Sequence, residues 1–196
     1  MEALLLPAFK FEVSLIRSAN IVAGAQRLVG LTDAPNSRSD EGGDPAADGY
    51  PDAIGNGGFQ ECTGLEFEMD MQDYQEGGRN NGVIRRAGRA KFPLLVLKRG
   101  MFYDSEPASA GNKAYGELWG WIQAVVNGVR PIGRYDGFVY VKSADNTVRA
   151  TWAFERGLPA KVKGPDLNAK TGEIALEELH IAHEGLRLMP PQAGGA

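Results

Sequence analysis

The sequence predicts a mainly β protein, a two-sheet antiparallel β-sandwich or barrel with one flanking α-helix. Three observations carry this. Apolar and polar residues alternate over 9–16, 65–72 and 148–155, the period of a strand with one face in a core. Turn-forming clusters rich in Gly, Pro, Asn and Asp separate these stretches. One segment alone, 115–126, has convincing helix spacing.

The elements follow in order. Phe9, Phe11, Val13 and Leu15 alternate with Lys10, Glu12, Ser14 and Ile16, a half-buried strand entered after Pro7. Residues 21–31 fit either a strand end with small residues or a short helix. Residues 32–58 differ in kind: eighteen of the 27 are Gly, Pro, Asp, Asn or Ser, and the large apolar residues there are Tyr50 and Ile54. Such a segment buries too little surface to offset the entropy of ordering, so it reads as a surface insertion.

The centre of the chain, 58–101, reads as a strand, a long loop and a strand. In the first strand Leu65, Phe67, Met69 and Met71 share one face, expected in a core, and Glu66, Glu68, Asp70 and Gln72 share the other. The loop, 76–88, is rich in Gly, Asn and Arg. The second strand, 92–98, is apolar on both faces. Together they form a hairpin whose tip is too long for a simple turn, a surface suited to touching another protein.

Residues 102–113 are polar and irregular. In the helix Leu118, Trp121, Ile122 and Val125 share a face, which Trp119 and Val126 widen. Gly128 stands where a left-handed cap belongs, and Pro131 follows. Strands resume at 137–142 and 148–154, joined by a hairpin tip at 143–146. Residues 157–168, with Pro159 and Pro165, read as a loop. Residues 173–188 fit two strand registers broken at Glu177 and Glu178, as a bulge would produce, with a helix as the rival reading. The tail, 190–196, reads as frayed.

Composition bounds the class. The 196 residues are 43% hydrophobic and 23% charged, which suits one globular domain over 1–196 carrying the insertion. Net charge is −4; residues 32–58 hold six acidic residues and one basic, so the rest sums to about +1. That balance does not point to a nucleic-acid binder. The N-terminal apolar cluster lacks a basic flank and a long apolar core, so no signal peptide is expected. No apolar run reaches the roughly 18 residues of a membrane span. Cys62 has no second cysteine to pair with and reads as packing.

No catalytic constellation emerges. Phosphate-loop, dinucleotide and nucleophile-elbow patterns are missing. The Asp-rich insertion lacks the spacing of a calcium loop. His180 and His183 lie near Glu177, Glu178 and Glu184, but three apart on a strand they point to opposite faces; on a helix they could converge. Glu66, Glu68 and Asp70 read as a solvated face rather than a catalytic carboxylate pair. No catalytic, cofactor or metal residue is therefore assigned. What remains is charge at the hairpin: Arg79, Arg85, Arg86, Arg89 and Lys91 at its tip and exit, and Glu66, Glu68, Asp70, Asp73 and Glu76 on its entering side. Glu66, Glu68, Asp70, Glu76, Arg79, Arg85, Arg86 and Arg89 are the candidate contacts between subunits or rings, with pairing inside one hairpin as the alternative.

Several motifs, in order, carry a resemblance. They are Gly58-Phe59-Gln60-Glu61-Cys62-Thr63-Gly64-Leu65, Tyr74-Gln75-Glu76-Gly77-Gly78, and the loop ending near Arg86 to Gly88. Leu97-Lys98-Arg99-Gly100, Leu118-Trp119 through Gly128, Lys163-Gly164-Pro165-Asp166-Leu167-Asn168-Ala169-Lys170 and Leu179 through Gly185 follow. Over roughly 9–188 the chain resembles the tail tube (inner tube) protein family of contractile-tailed phages and extracellular contractile injection systems. It departs at 21–58, where the family often has a short hairpin, and at Arg86-Ala87-Gly88, which keeps a glycine without the proline.

The resemblance implies a structural protomer. Six copies would close a hexamer whose sheets form one continuous β-barrel ring around a lumen. Rings would stack head to tail into a rigid tube, driven through a target envelope when a sheath contracts, and the central hairpin would reach the next ring. Implied partners are further copies, sheath protein, baseplate and tube-initiator proteins, and cargo or DNA in the lumen, with no stable membrane anchoring and no cofactor. The chain would be made in the bacterial cytoplasm and assembled into a phage tail or extracellular particle. A tube-initiating ring at the baseplate is the alternative within this class. A small monomeric β-barrel binding module or enzyme is the alternative outside it, and native sizing separates the two classes.

Overall fold

The computed structural model describes residues 10–18, 50–51, 53–55, 58–78, 81–101, 117–167, 170 and 174–189. Among the described residues ten strands and one helix run in the order β1 (Phe11–Arg17), β2 (Ala53–Ile54), β3 (Glu61–Thr63), β4 (Glu68–Tyr74), β5 (Ile84–Lys91), β6 (Leu95–Gly100), α1 (Glu117–Val126), β7 (Tyr135–Lys142), β8 (Val148–Lys163), β9 (Leu176–Ala182) and β10 (Gly185–Met189). All strand pairs are antiparallel.

The body is two sheets that share one strand. β8 is 16 residues long. Its first half lies between β7 and β10, in a sheet that continues through β1 to β2. Its second half pairs with β9, in a sheet that continues through β6 to β3. The bend between the halves falls at Arg156 and Gly157. Arg156 has a left-handed φ of 53°, and its N–H donates to the Asp136 carboxylate at 2.8 Å, which also accepts from Ser18 Oγ at 2.6 Å. The bend folds Phe154 over the neighbouring backbone: a Cβ on Gly137 would stand 2.0 Å from its ring. Glycine is thus required there by close approach rather than by dihedral freedom.

The core lies between the two inner faces. Val13, Leu15, Tyr135, Val139 and Phe154 come from one sheet, Leu95, Leu97, Leu179 and Ile181 from the other, and Leu118 and Trp121 from α1. Trp121 meets Tyr135 edge to face at 4.8 Å and donates its indole N–H to Gly133 O at 2.8 Å. α1 ends as its sequence predicts, with Gly128 at a φ of 80°.

A buried ion pair lies on the inner face of the second sheet, between neighbouring strands. Arg99 and Glu177 are almost fully inaccessible. Arg99 Nε donates to Glu177 Oε1 at 2.6 Å, and Trp119 Nε1 donates to Glu177 Oε2 at 3.1 Å. The pair therefore ties β6, β9 and α1 together.

Several expectations change. The segment 50–58, read as part of a surface insertion, holds core residues: Tyr50 is 4% and Ile54 2% exposed. Tyr135 Oη donates to Pro51 O at 2.7 Å, and the Gly55 N–H donates to Glu117 Oε2 at 2.9 Å in the first turn of α1. Residues 21–31 and 32–49 lie outside the described residues, as do 102–113 and the tail. The expected loop at 157–168 is strand as far as Lys163, because Pro159 falls at a register shift, where the ladder does not need its missing donor. The expected break at Glu177 and Glu178 lies instead at His183 and Glu184, between β9 and β10. No helix forms over the described part of 173–188.

Candidate assembly interface

The central hairpin is not the one the alternation predicts. β4 pairs with β5, and the two form a separate two-stranded sheet. The apolar second strand belongs to the body: β6 lies between β3 and β9. Residues 84–88, expected within the loop, are strand, and the strand runs on to Lys91, so the described turn shrinks to 75–78 and 81–83. The product is an arm projecting from the body. Its register slips opposite Asp70, where Gly88 leaves no room for a side chain: a Cβ there would stand 2.8 Å from Asp70 O.

Pairing sorts the arm into two faces. Glu68 faces Lys91, Gln72 faces Arg86 and Tyr74 faces Ile84 on one; Met69 faces Ala90, Met71 faces Ala87 and Asp73 faces Arg85 on the other. The second face, expected in a core, is uncovered. Phe67 is 64%, Met69 40% and Met71 64% exposed, with Tyr74 and Val83 also exposed toward the tip. A two-stranded ribbon is marginal in water by itself. A row of large apolar side chains on such a ribbon is a contact surface awaiting a partner.

The charged candidates among the described residues fall on this arm. Lys91 Nζ lies 2.5 Å from Asp70, and Arg85 Nε lies 3.6 Å from Asp73. The Arg86 guanidinium sits 4.7 Å from the centre of the Tyr74 ring. The Asp70 carboxylate holds the Lys91 ammonium above its ordinary range. Pairing within one hairpin is therefore real for Asp70, Asp73, Arg85 and Lys91, and being exposed it contributes little. Glu66, Glu68, Glu76 and Arg89 are exposed, Glu66 just before β4 and Arg89 beside the bulge. Arg79 lies outside the described residues.

The other residues singled out by chemistry sit in the body. Cys62 packs against the core, and burial pushes its thiol up to about 12. His180 faces outward on β9 beside Glu178, at 3.5 Å. His183 stands at the β9–β10 break between the rings of Phe92 and Phe154, at 5.5 and 5.7 Å. Sequence reasoning missed the Arg99–Glu177 pair. Its signal was parity: each charge occupies an inward position, in step with Leu95 and Leu97 or with Leu179 and Ile181.

The body also presents open edges. Among the described residues β3 has β6 as its sole strand partner, and β8 beyond Gly157 has β9 alone. Open strand edges and exposed apolar ribbons are surfaces on which further strands or chains can add.

Solved structures share the fold. A chain in the six-fold symmetrised baseplate of the anti-feeding prophage superposes with a TM-score of 0.64 at 17% identity, over 97% of this chain and 99% of that one. A chain in the extended sheath–tube complex of the PVC extracellular contractile injection system gives 0.62 at 16% identity, over 95% and 92%. A chain in the sheath/tube terminator of that system gives 0.61 at 16% identity, over 95% and 98%. No curated protein matches. The family described as T4-like virus tail tube protein gp19 matches residues 7–187, and the chain belongs to that family of structural tube proteins, which are not enzymes.

Proposed function

We propose that this chain is the protomer of the inner tube of a contractile tail or injection system. Six copies close a ring by joining their sheets around a lumen. Rings stack head to tail into a hollow tube, and contraction of a surrounding sheath drives the tube through a target envelope. The observation that carries this reading is the arm: Phe67, Met69 and Met71 line a face that the subunit's own body leaves bare. In the tube that face lies on the next ring, and Glu66, Glu68, Asp70, Glu76, Arg79, Arg85, Arg86 and Arg89 are the charged residues proposed to meet it.

Family membership supports the reading, and so does likeness to chains of a sheath–tube complex and a baseplate. Sheath and baseplate proteins are the corresponding partners, and the particle is a phage tail or an extracellular injection system assembled from cytoplasmic subunits. Likeness to a baseplate chain favours a second reading, the ring that initiates the tube.

Negative-stain electron microscopy of the purified chain tests both. Sixfold rings that stack into tubes of many layers support the main tube. Single rings that never stack support the initiator. A monomer unchanged by concentration, seen by light scattering, overturns both.

A further inference from the structure

Among the described residues the second sheet of the body has four strands, β8, β9, β6 and β3, each antiparallel to the next. Its outward face carries a row of charge. Lys163 is the cross-strand partner of Glu178, Glu178 of Lys98, and Lys98 of Glu61. Lys98 Nζ lies 3.1 Å from Glu61 Oε2 and 4.0 Å from Glu178 Oε1. Lys163 Nζ also meets Asp166 at 3.1 Å, three residues along its own chain. The next level outward is Lys161, His180, Val96 and Thr63. Charge thus alternates strand by strand, positive, negative, positive, negative.

An alternating row over an even number of strands ends on opposite signs. The β8 edge ends on Lys163 and the β3 edge on Glu61, and neither edge has a further strand partner among the described residues. Strand direction alternates in the same way, so β3 and β8 run oppositely. Two like-oriented copies set edge to edge would meet antiparallel and with opposite charges facing. With an odd number of strands the same junction would be parallel and would oppose like charges, which destabilises a cross-strand pair.

We propose that β3 of one copy pairs with the second half of β8 of the next copy, and that Glu61 of the first meets Lys163 of the second. The row Lys163–Glu178–Lys98–Glu61 then runs through every junction as it runs inside each subunit. This inference rests on the ring reading above and specifies which edges close the ring. The charges set register as well as attraction, since a slip of one residue would turn the row into the core face.

The test is a charge swap in two separate chains. Glu61→Lys gives a subunit positive at both edges, and Lys163→Glu one negative at both. Each reversal also faces a like charge inside its own chain, Lys98 or Glu178, so a single variant is not decisive. Mixing is, because a second chain relieves a clash between copies and leaves one within a chain. Sedimentation of wild type should show rings. Each variant alone should need at least about tenfold more protein to assemble, and the equimolar mixture should return to within about threefold of wild type. Variants that assemble like wild type overturn the proposal. So does a mixture no better than its components while circular dichroism shows both folded. Wild type that forms no ring overturns the ring reading itself.

A second measurement is independent of charge. In a Cys62→Ala background, Thr63→Cys and Lys161→Cys stand opposite each other across the proposed junction. Within one chain they are three strand spacings apart, roughly 14 Å, beyond disulfide reach. Oxidation of assembled protein should give a ladder of covalent multimers on a denaturing gel. Rings without a ladder overturn the pairing, and an edge made for another protein's strand would give that result.

Discussion

β6 and β4 are strands of similar length with apolar residues at alternate positions, and they end in opposite surroundings. Leu95 and Leu97 of β6 are wholly inaccessible, while Met69 and Met71 of β4 face solvent. The difference lies in what flanks them. β6 has β3 on one side, β9 on the other and α1 across the core; β4 has β5 alone. Alternation therefore specifies that a strand has two unlike faces, and it does not specify which chain covers the apolar one. In the body the cover is intrachain. On the arm the described body supplies none, and in the proposed tube it comes from another copy.

The contrast can be broken most sharply in the body. Glu177→Ala leaves the Arg99 guanidinium buried without its carboxylate and should cost about 3–5 kcal/mol of subunit stability. Chemical denaturation of an assembly-blocked subunit measures this. Ile54→Ala comes next, at about 2–4 kcal/mol, because Ile54 is a core side chain pairing with Leu15. A cost near zero would return 50–55 to the surface and shrink the body. On the arm, Met69→Ser with Met71→Ser should shift subunit stability by no more than about 0.5 kcal/mol. The same variant should abolish tubes in electron micrographs. Normal tubes from it would mean that the exposed face is not an interface.

The smallest effect concerns His183. Burial holds its imidazole below the ordinary value of 6.5, and a backbone contact at Gly185 offsets this in part. The unfolded chain therefore takes up this proton first on acidification. Stability should be full above about pH 6.5 and decline as pH falls from there through the lower native pKa. His183→Leu should remove that part of the slope in a denaturation series across pH 5 to 7.5. An unchanged slope would assign it to other groups.

Much of the body was legible in the sequence. The alternation at 9–16, found as strand over Phe11–Arg17, that at 148–155, the strand near 137–142, the helix and its Gly128 cap all follow from local pattern. The rest was hidden for identifiable reasons. β5 reads as loop because Ile84–Lys91 holds four charged residues and two small alanines, and with no core against it no apolar alternation marks it. The second half of β8 reads as loop because Gly157 and Pro159 are usually punctuation; here one permits the bend and the other sits at a register shift. The break in 173–188 was misplaced because a glutamate at an inward position looks like an interruption until its arginine, 78 residues away, is found. Tyr50 and Ile54 were submerged by the composition around them. Of the candidate interface, the sequence located the segment and its charges, and missed that the apolar face is the exposed one.

The strand shared by both sheets has a mechanical consequence. A force along the second sheet passes into the first through the covalent backbone of β8, without depending on side-chain contacts across the core. With β8 held in the first sheet, separating the sheets lengthwise means sliding its second half past β9, so the backbone hydrogen bonds of that pair are loaded together rather than one after another. A subunit so built resists shear better than two sheets held only by packing, and in the proposed tube a column of such subunits would transmit a push from one end to the other.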